Sequence, residues 1–244
     1  MAIAVRSVTV GTNDGSSAAV SATTPSTTQI GDLLVVAHSN DFYTLTTMPT
    51  PTCTGAPTLT AITNGTADGG TGEGHIKTYT AVANTGGANT VTVTETGSHD
   101  EEKAMVVYVL TGADTTTPVD VAASFNGTPG NDSQTCPSVT ATVSDGYLIC
   151  FNNSGPSSNT AYGSPGSMTE QYEIHVGGMS GVGATEQLSA SGATGTRTFT
   201  CVPGNNILWV SVSVVIRTAS AGAAPAAIEP IVAPSLAAIQ AGVW

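Results

Sequence analysis

Apolar residues in this chain recur with a period of two, and no convincing helical periodicity appears before residue 219. Successive side chains of a strand point to opposite faces of a sheet, so this pattern commits the chain to β-structure. Val91 and Val93 alternate with threonines in Thr-Val-Thr-Val-Thr. Ile76, Thr78, Thr80 and Val82 share one face, with Lys77 and Tyr79 on the other. Val210, Val212, Val214 and Ile216 form an apolar face opposite Ser211 and Ser213. Between such runs lie Asp-Gly at 14–15, 68–69 and 145–146 and Asn-Gly at 64–65 and 126–127, dipeptides that tolerate the positive φ of tight hairpins. Many short strands with turn signals at this spacing predict an all-β fold, an antiparallel, jelly-roll-like β-sandwich.

The two halves of this pattern resemble each other. Gln29-Ile-Gly-Asp-Leu-Leu-Val-Val corresponds to Val143-Ser-Asp-Gly-Tyr-Leu-Ile-Cys, each a turn feeding a buried strand. Met105-Val-Val-Tyr-Val-Leu-Thr-Gly-Ala has its counterpart in Leu208-Trp-Val-Ser-Val-Ser-Val-Val-Ile, and Ser17-Ser-Ala-Ala-Val-Ser-Ala-Thr in Cys136-Pro-Ser-Val-Thr-Ala-Thr. The offset drifts from about 114 to about 106 residues, as loop insertions and deletions would produce. The expected organisation is a sandwich over 1–218 built from pseudo-repeats of about 1–113 and 117–218. The halves would form either one wide sandwich sharing a core or two small sandwiches in tandem. The join, Gly112-Ala-Asp-Thr-Thr-Thr-Pro-Val-Asp, lacks a Gly/Ser linker and favours a shared core.

Residues 219–244 differ. Ala-Ser-Ala-Gly-Ala-Ala-Pro-Ala-Ala reads as an extended linker, and Ser235 is placed to cap a short helix. The apolar residues of this C-terminal tail, Ile228, Ile231, Val232, Leu236, Ile239, Val243 and Trp244, are its candidate partner contacts.

Composition narrows the function. Charged residues are 9% of the 244, and net charge is −12. The five cations, Arg6, Lys77, Lys103, Arg197 and Arg217, are scattered singly. Phosphate backbones and anionic membranes need clustered cations, so neither is expected as a partner. No apolar run approaches the roughly 18 residues of a membrane span. The opening Met-Ala-Ile-Ala-Val-Arg-Ser-Val-Thr-Val alternates like a strand and lacks the basic and apolar regions of a secretory leader. Folding in a host cytoplasm, with release by lysis, is the expectation.

Chemistry-bearing patterns are sparse. Cys53, Cys136, Cys150 and Cys201 make no CxxC pair, so no zinc site is expected; Cys150 and Cys201 both fall in strand-like segments and could be neighbours. Gly177-Gly-Met-Ser-Gly lacks the spacing of a nucleophile elbow, which leaves Ser180 as a loop residue. His38, His75, His99 and His175 form no ligand pattern. Two acidic loops, Asp68 with Glu73 and His75, and His99-Asp-Glu-Glu, carry oxygen ligands of the kind calcium takes, but such residues also serve simply as loop tips. No catalytic residue, cofactor or metal is expected. Phe42, Tyr43, Tyr162 and Tyr172 are the only aromatics suited to a sugar-binding groove, and core packing is the competing reading for each.

Three segments, Gly31-Asp-Leu-Leu-Val-Val, Gly112-Ala-Asp-Thr-Thr-Thr-Pro-Val-Asp-Val and Gly192-Ala-Thr-Gly-Thr-Arg-Thr-Phe-Thr, occur in that order, followed by Leu208-Trp-Val-Ser-Val-Ser-Val-Val-Ile-Arg. Over about residues 17–218 the chain thereby resembles a group of β-sandwich domains of bacteriophage virion proteins, both head-surface and tail-associated. The group's tryptophan turn is absent: Pro49-Thr-Pro-Thr-Cys stands near its place. The resemblance implies a non-enzymatic virion structural protein. Its leading form is a capsid decoration or cement protein, forming homo-oligomers and contacting the major capsid protein or tail components. The rival is a tail or fibre adhesion module that binds host-surface carbohydrate.

Overall fold

The computed structural model describes residues 2–42, 48–56, 58–69, 73–95, 102–127, 133–155, 161–202 and 208–220. These residues are all-β, with every strand pair antiparallel. The first half contributes β1 (Ala4–Asp14), β2 (Ala19–Thr23), β3 (Leu33–Phe42), β4 (Thr52–Cys53), β5 (Thr60–Asp68), β6 (Glu73–Val82), β7 (Thr90–Thr94) and β8 (Glu102–Thr111). The second contributes β9 (Val119–Gly127), β10 (Ser133–Cys136), β11 (Thr140–Ala141), β12 (Tyr147–Ser154), β13 (Ala161–Gly163), β14 (Thr169–Val176), β15 (Met179–Gln187), β16 (Gly192–Ala193), β17 (Arg197–Val202) and β18 (Trp209–Ile216).

One strand order occurs twice. The first half forms a five-stranded sheet, β1-β8-β3-β6-β5, and a three-stranded sheet, β2-β7-β4. The second forms β9-β18-β12-β15-β14 and β10-β17-β13, with a β11-β16 pair beside them. The two large sheets lie face to face. Leu33, Val35, Val106, Tyr108 and Leu110 of one pack against Ile149, Phe151, Val210, Val212 and Val214 of the other in a single central core. Tyr108 meets Phe151 edge-on at 5.6 Å between ring centres. Each large sheet then buries its other face under its own small sheet. Leu34, Val36, Val107 and Val109 pack on Val20, Val91 and Val93 in the first half. Leu148, Cys150, Val182 and Val215 pack on Cys136, Phe199 and Cys201 in the second. The result is four layers: two sandwiches, back to back, joined through their large sheets.

This layering explains the uninterrupted apolar runs. Strands β3, β8, β12 and β18 are central in their sheets and covered on both faces, so both sets of alternating side chains must be buried. Each fully buried Val, Leu or Phe contributes roughly 1.5–3 kcal/mol of transfer free energy. Ser211 and Ser213 lie on such a strand, buried rather than facing solvent. Burying a hydroxyl is tolerated because Ser211 donates to the Thr135 carbonyl (3.0 Å) and Ser213 to that of Pro137 (2.8 Å).

The register also gives the stack two different ends. Ala2, the join at Gly112 and the last described residues gather at one: the Ala219 N–H donates to the Gly112 carbonyl at 2.9 Å, and Thr218 bridges Ala113. Gly112 takes φ +79°, and a side chain there would collide with the Ala2 carbonyl, so the turn requires glycine. At the other end Asn153 of β12 donates to the carbonyls of Asn40 (3.1 Å) and His75 (3.3 Å), sealing the central core. The expected helix after Ser235 lies outside the described residues.

Candidate functional site

Among the described residues, the end opposite Ala2 and Ala219 holds concentrated polar chemistry, arranged differently in the two halves. In the first half, β3 runs His38-Ser-Asn40, and the register places Asn40 opposite Lys103 of β8. Glu95, just past β7, reaches down between them. Its Oε1 accepts from Asn40 Nδ2 at 2.9 Å and lies 3.2 Å from His38 Nε2, off the line of a hydrogen bond. Its Oε2 is 3.6 Å from Lys103 Nζ, which also donates to the Ser17 carbonyl at 3.2 Å. None of these four side-chain groups is more than 2% exposed. Burial alone would push the Glu95 carboxyl up. His38, Asn40 and Lys103 outweigh it and hold the group below its ordinary range. An ion pair this deep knots the sheet ends together and is out of a substrate's reach.

In the second half the same sheet positions are uncharged. Leu33 sits opposite Leu110 and Tyr147 opposite Ile216, so Asn152, Ser154 and Trp209 stand where the first half has His38, Asn40 and Lys103. Trp209 packs against Phe125 at 5.5 Å. Around Ser154 a chain of contacts runs outward. Ser154 Oγ lies 2.9 Å from Tyr162 Oη. Tyr162 stacks on the His175 ring, with planes 13° apart. His175 Nδ1 is 3.2 Å from Ser180 Oγ, and its Nε2 is 2.6 Å from Glu173 Oε1.

Serine, imidazole and carboxylate in series have the composition of an acyl-transfer triad. The local fold explains them otherwise. Gly177-Gly178 closes the β14–β15 hairpin, which puts His175 directly opposite Ser180. Ser180 is a strand residue, not the loop residue its glycine-rich surroundings suggested, and it is 2% exposed. A nucleophile there would have no approach for a substrate. The contact fastens a hairpin, and the turn glycines were the only sequence signal for it.

The remaining candidates disperse. His75 Nδ1 lies 3.0 Å from Asp68 Oδ1, and the Asp68 carbonyl accepts from Asn126 of the other half. Glu102 accepts the Gly178 N–H at 2.9 Å, another contact between halves. His99, Asp100 and Glu101 lie outside the described residues, as do Tyr43 and the side chains of Phe42 and Glu73. No group of three His, Cys, Asp or Glu is placed to hold a metal among the described residues. Tyr172 is core, edge-on to Tyr108 at 6.2 Å, and Tyr162 is buried. Phe125, by contrast, is 48% exposed, an aromatic near the Trp209 end of β18 that alternation alone did not single out.

Elsewhere an open groove of about 500 Å³ runs between the edge strands β5 and β9, lined by Thr60, Ile62, Asn64, Pro118, Asp120 and Val121 among others. Its one carboxylate is already used. Asp120 accepts from the Thr142 backbone at 2.6 Å and from Arg217 at 2.8 Å, contacts that outweigh burial and keep it below the ordinary carboxylate range. The tail contacts expected at Ile228, Ile231, Val232, Leu236, Ile239, Val243 and Trp244 lie outside the described residues. No known protein family, curated protein or solved structure matches the chain.

Proposed function

We propose that this is a non-enzymatic structural protein of a bacteriophage particle, a decoration or cement protein on the capsid surface. It is held at the end where the C-terminal segment departs, and its opposite end faces outward. The observation that carries this reading is the two-ended layout: Ala2, the join at Gly112 and the exit at Ala219 share one end, opposite the polar clusters. A module anchored through one end leaves the other free for contact. The burial of these polar groups fits a role in contact rather than turnover, and the resemblance of the ordered motifs to virion sandwich domains fits the setting. Homo-oligomers and contacts with the major capsid protein or tail components belong to this proposal.

Deleting residues 221–244 and measuring incorporation into particles tests it. Loss of incorporation with the fold intact is expected; normal incorporation would overturn the anchoring role. Copy number separates head from tail: hundreds per particle for a capsid protein, a handful for a tail protein. Phe125, exposed and resting on Trp209, favours a second reading, a tail or fibre module that binds host carbohydrate. A glycan array probed with the protein and with Phe125→Ala scores that alternative.

A further inference from the structure

In the outer core of the second half, two thiols from different layers meet. Cys136 ends β10 in the small sheet and Cys150 lies within β12 of the large one; both are fully buried. Cys136 Sγ is 3.4 Å from the carbonyl of Phe151, the residue after Cys150, and both thiols belong to the same outer core. Cys150 Sγ is 3.7 Å from Ser213 Oγ, which donates to the carbonyl of Pro137, the residue after Cys136. Each thiol is thus tied to the chain beside the other, across the gap between layers. Cys136 and Cys150 are both free thiols.

We propose that Cys136 and Cys150 are a redox pair that closes to an inter-layer disulfide when the protein passes from a reducing to an oxidising environment. The bridge would staple the small outer sheet to the large sheet of the second half. The other thiols are poorly placed to compete. Cys136 is paired across the ladder with Arg197, and Cys201 lies four residues further along β17, roughly 13 Å away at strand rise. Cys53 belongs to the first half, where Val36 stands at the position of Cys150. Cys150 and Cys201, which their strand-like segments allowed to be neighbours, do share this outer core, but it is Cys136 that is tied to the chain beside Cys150 by contacts on both sides.

The step balances with a small disulfide such as oxidised glutathione as oxidant. One protein thiolate attacks it, releasing one glutathione thiol and leaving a mixed disulfide. The second protein thiolate displaces the other glutathione. The two protein thiols lose two protons and two electrons, and the oxidant becomes two thiols. Burial, with Cys150 beside it, pushes the Cys136 thiol well up, so thiolate is scarce in the closed structure. Exchange then proceeds when the outer layer opens, slowly in the folded protein and readily during folding. The proposal stands independently of any particle.

The full chain is refolded in a buffer of oxidised and reduced glutathione, alongside a sample kept in reductant. The oxidised sample is expected to lose the mass of two hydrogens and to yield a proteolytic peptide pair joined through Cys136 and Cys150. Closing a loop of about 15 residues should raise its thermal midpoint by about 5 °C or more over the reduced sample. Cys150→Val, the first half's residue at that position, should lose the shift, and Cys201→Ser should keep both link and shift. Should the valine variant fail to fold, the peptide map of the unaltered chain decides alone. A different pairing, or four alkylatable thiols after oxidative refolding, would overturn the proposal.

Discussion

The two halves follow one strand order yet close the same end of it by opposite chemistry. In the first, Glu95 is buried among His38, Asn40 and Lys103; in the second, Asn152, Ser154 and Trp209 fill the equivalent sheet positions without a formal charge. Topology is therefore indifferent to whether a buried ion pair or a packed indole closes this end. The first half depends on the buried ion pair of Glu95 and Lys103. The second depends on packing around an indole, with its one His–carboxylate contact moved to the partly exposed His175 and Glu173.

This contrast can be broken at several points. The largest effect is expected from Lys103→Met, which strands Glu95 in the interior. Removing one partner of a buried pair costs about 3–5 kcal/mol, read as a lower denaturant midpoint. Adding Glu95→Gln should recover part of that loss, because the two changes couple. Next comes Gly127→Ala. Gly127 is the ladder partner of Trp209, and a Cβ there would overlap the indole, at a cost of about 1–3 kcal/mol. Lys103 instead faces Asn13, whose amide donates to the Ala19 carbonyl at 2.8 Å, so that position tolerates a side chain.

Acid sharpens the contrast further. Because the folded structure holds Glu95 below its ordinary value of 4.5, its contribution is present above that pH. It is lost as pH falls through the depressed folded value. Glu95→Gln should flatten this part of the stability–pH curve, measured by denaturation at stepped pH. An unchanged acid slope would show that Glu95 is not the group responsible. The smallest effect belongs to Asn152→Leu. Both polar atoms of Asn152 are buried without a hydrogen-bond partner, so exchanging the amide for an alkyl group of similar size should change stability by no more than about 1 kcal/mol.

How much of this was legible in the chain varies by kind of information. Val91 and Val93 announced a strand with one buried face, whereas the glycines at 177–178 led Ser180 to read as a loop residue although it lies in a strand. The run after Gly31-Asp32 read as a buried strand, but that does not say how many of its faces are covered, or by which layer. Hence the halves read as one wide sandwich or two small ones, whereas the structure joins two complete sandwiches through a third core. Ser211 and Ser213 alternated like a solvent-facing row because a serine looks the same to a periodicity count whether its hydroxyl meets water or the Pro137 carbonyl. The polar end was hidden for a related reason. Glu95 is 55 residues from Asn40 in sequence, and their meeting depends on layer packing that no local spacing encodes.

Native-state hydrogen exchange is the most direct test of the back-to-back arrangement. If the central core is common to both halves, amides of β3, β8, β12 and β18 should exchange at one slowest rate, set by global unfolding, and should respond together to Lys103→Met. Contradiction would be a second half whose β12 and β18 keep full protection while β3 and β8 of the first half exchange freely, since two halves that unfold separately do not share an interior.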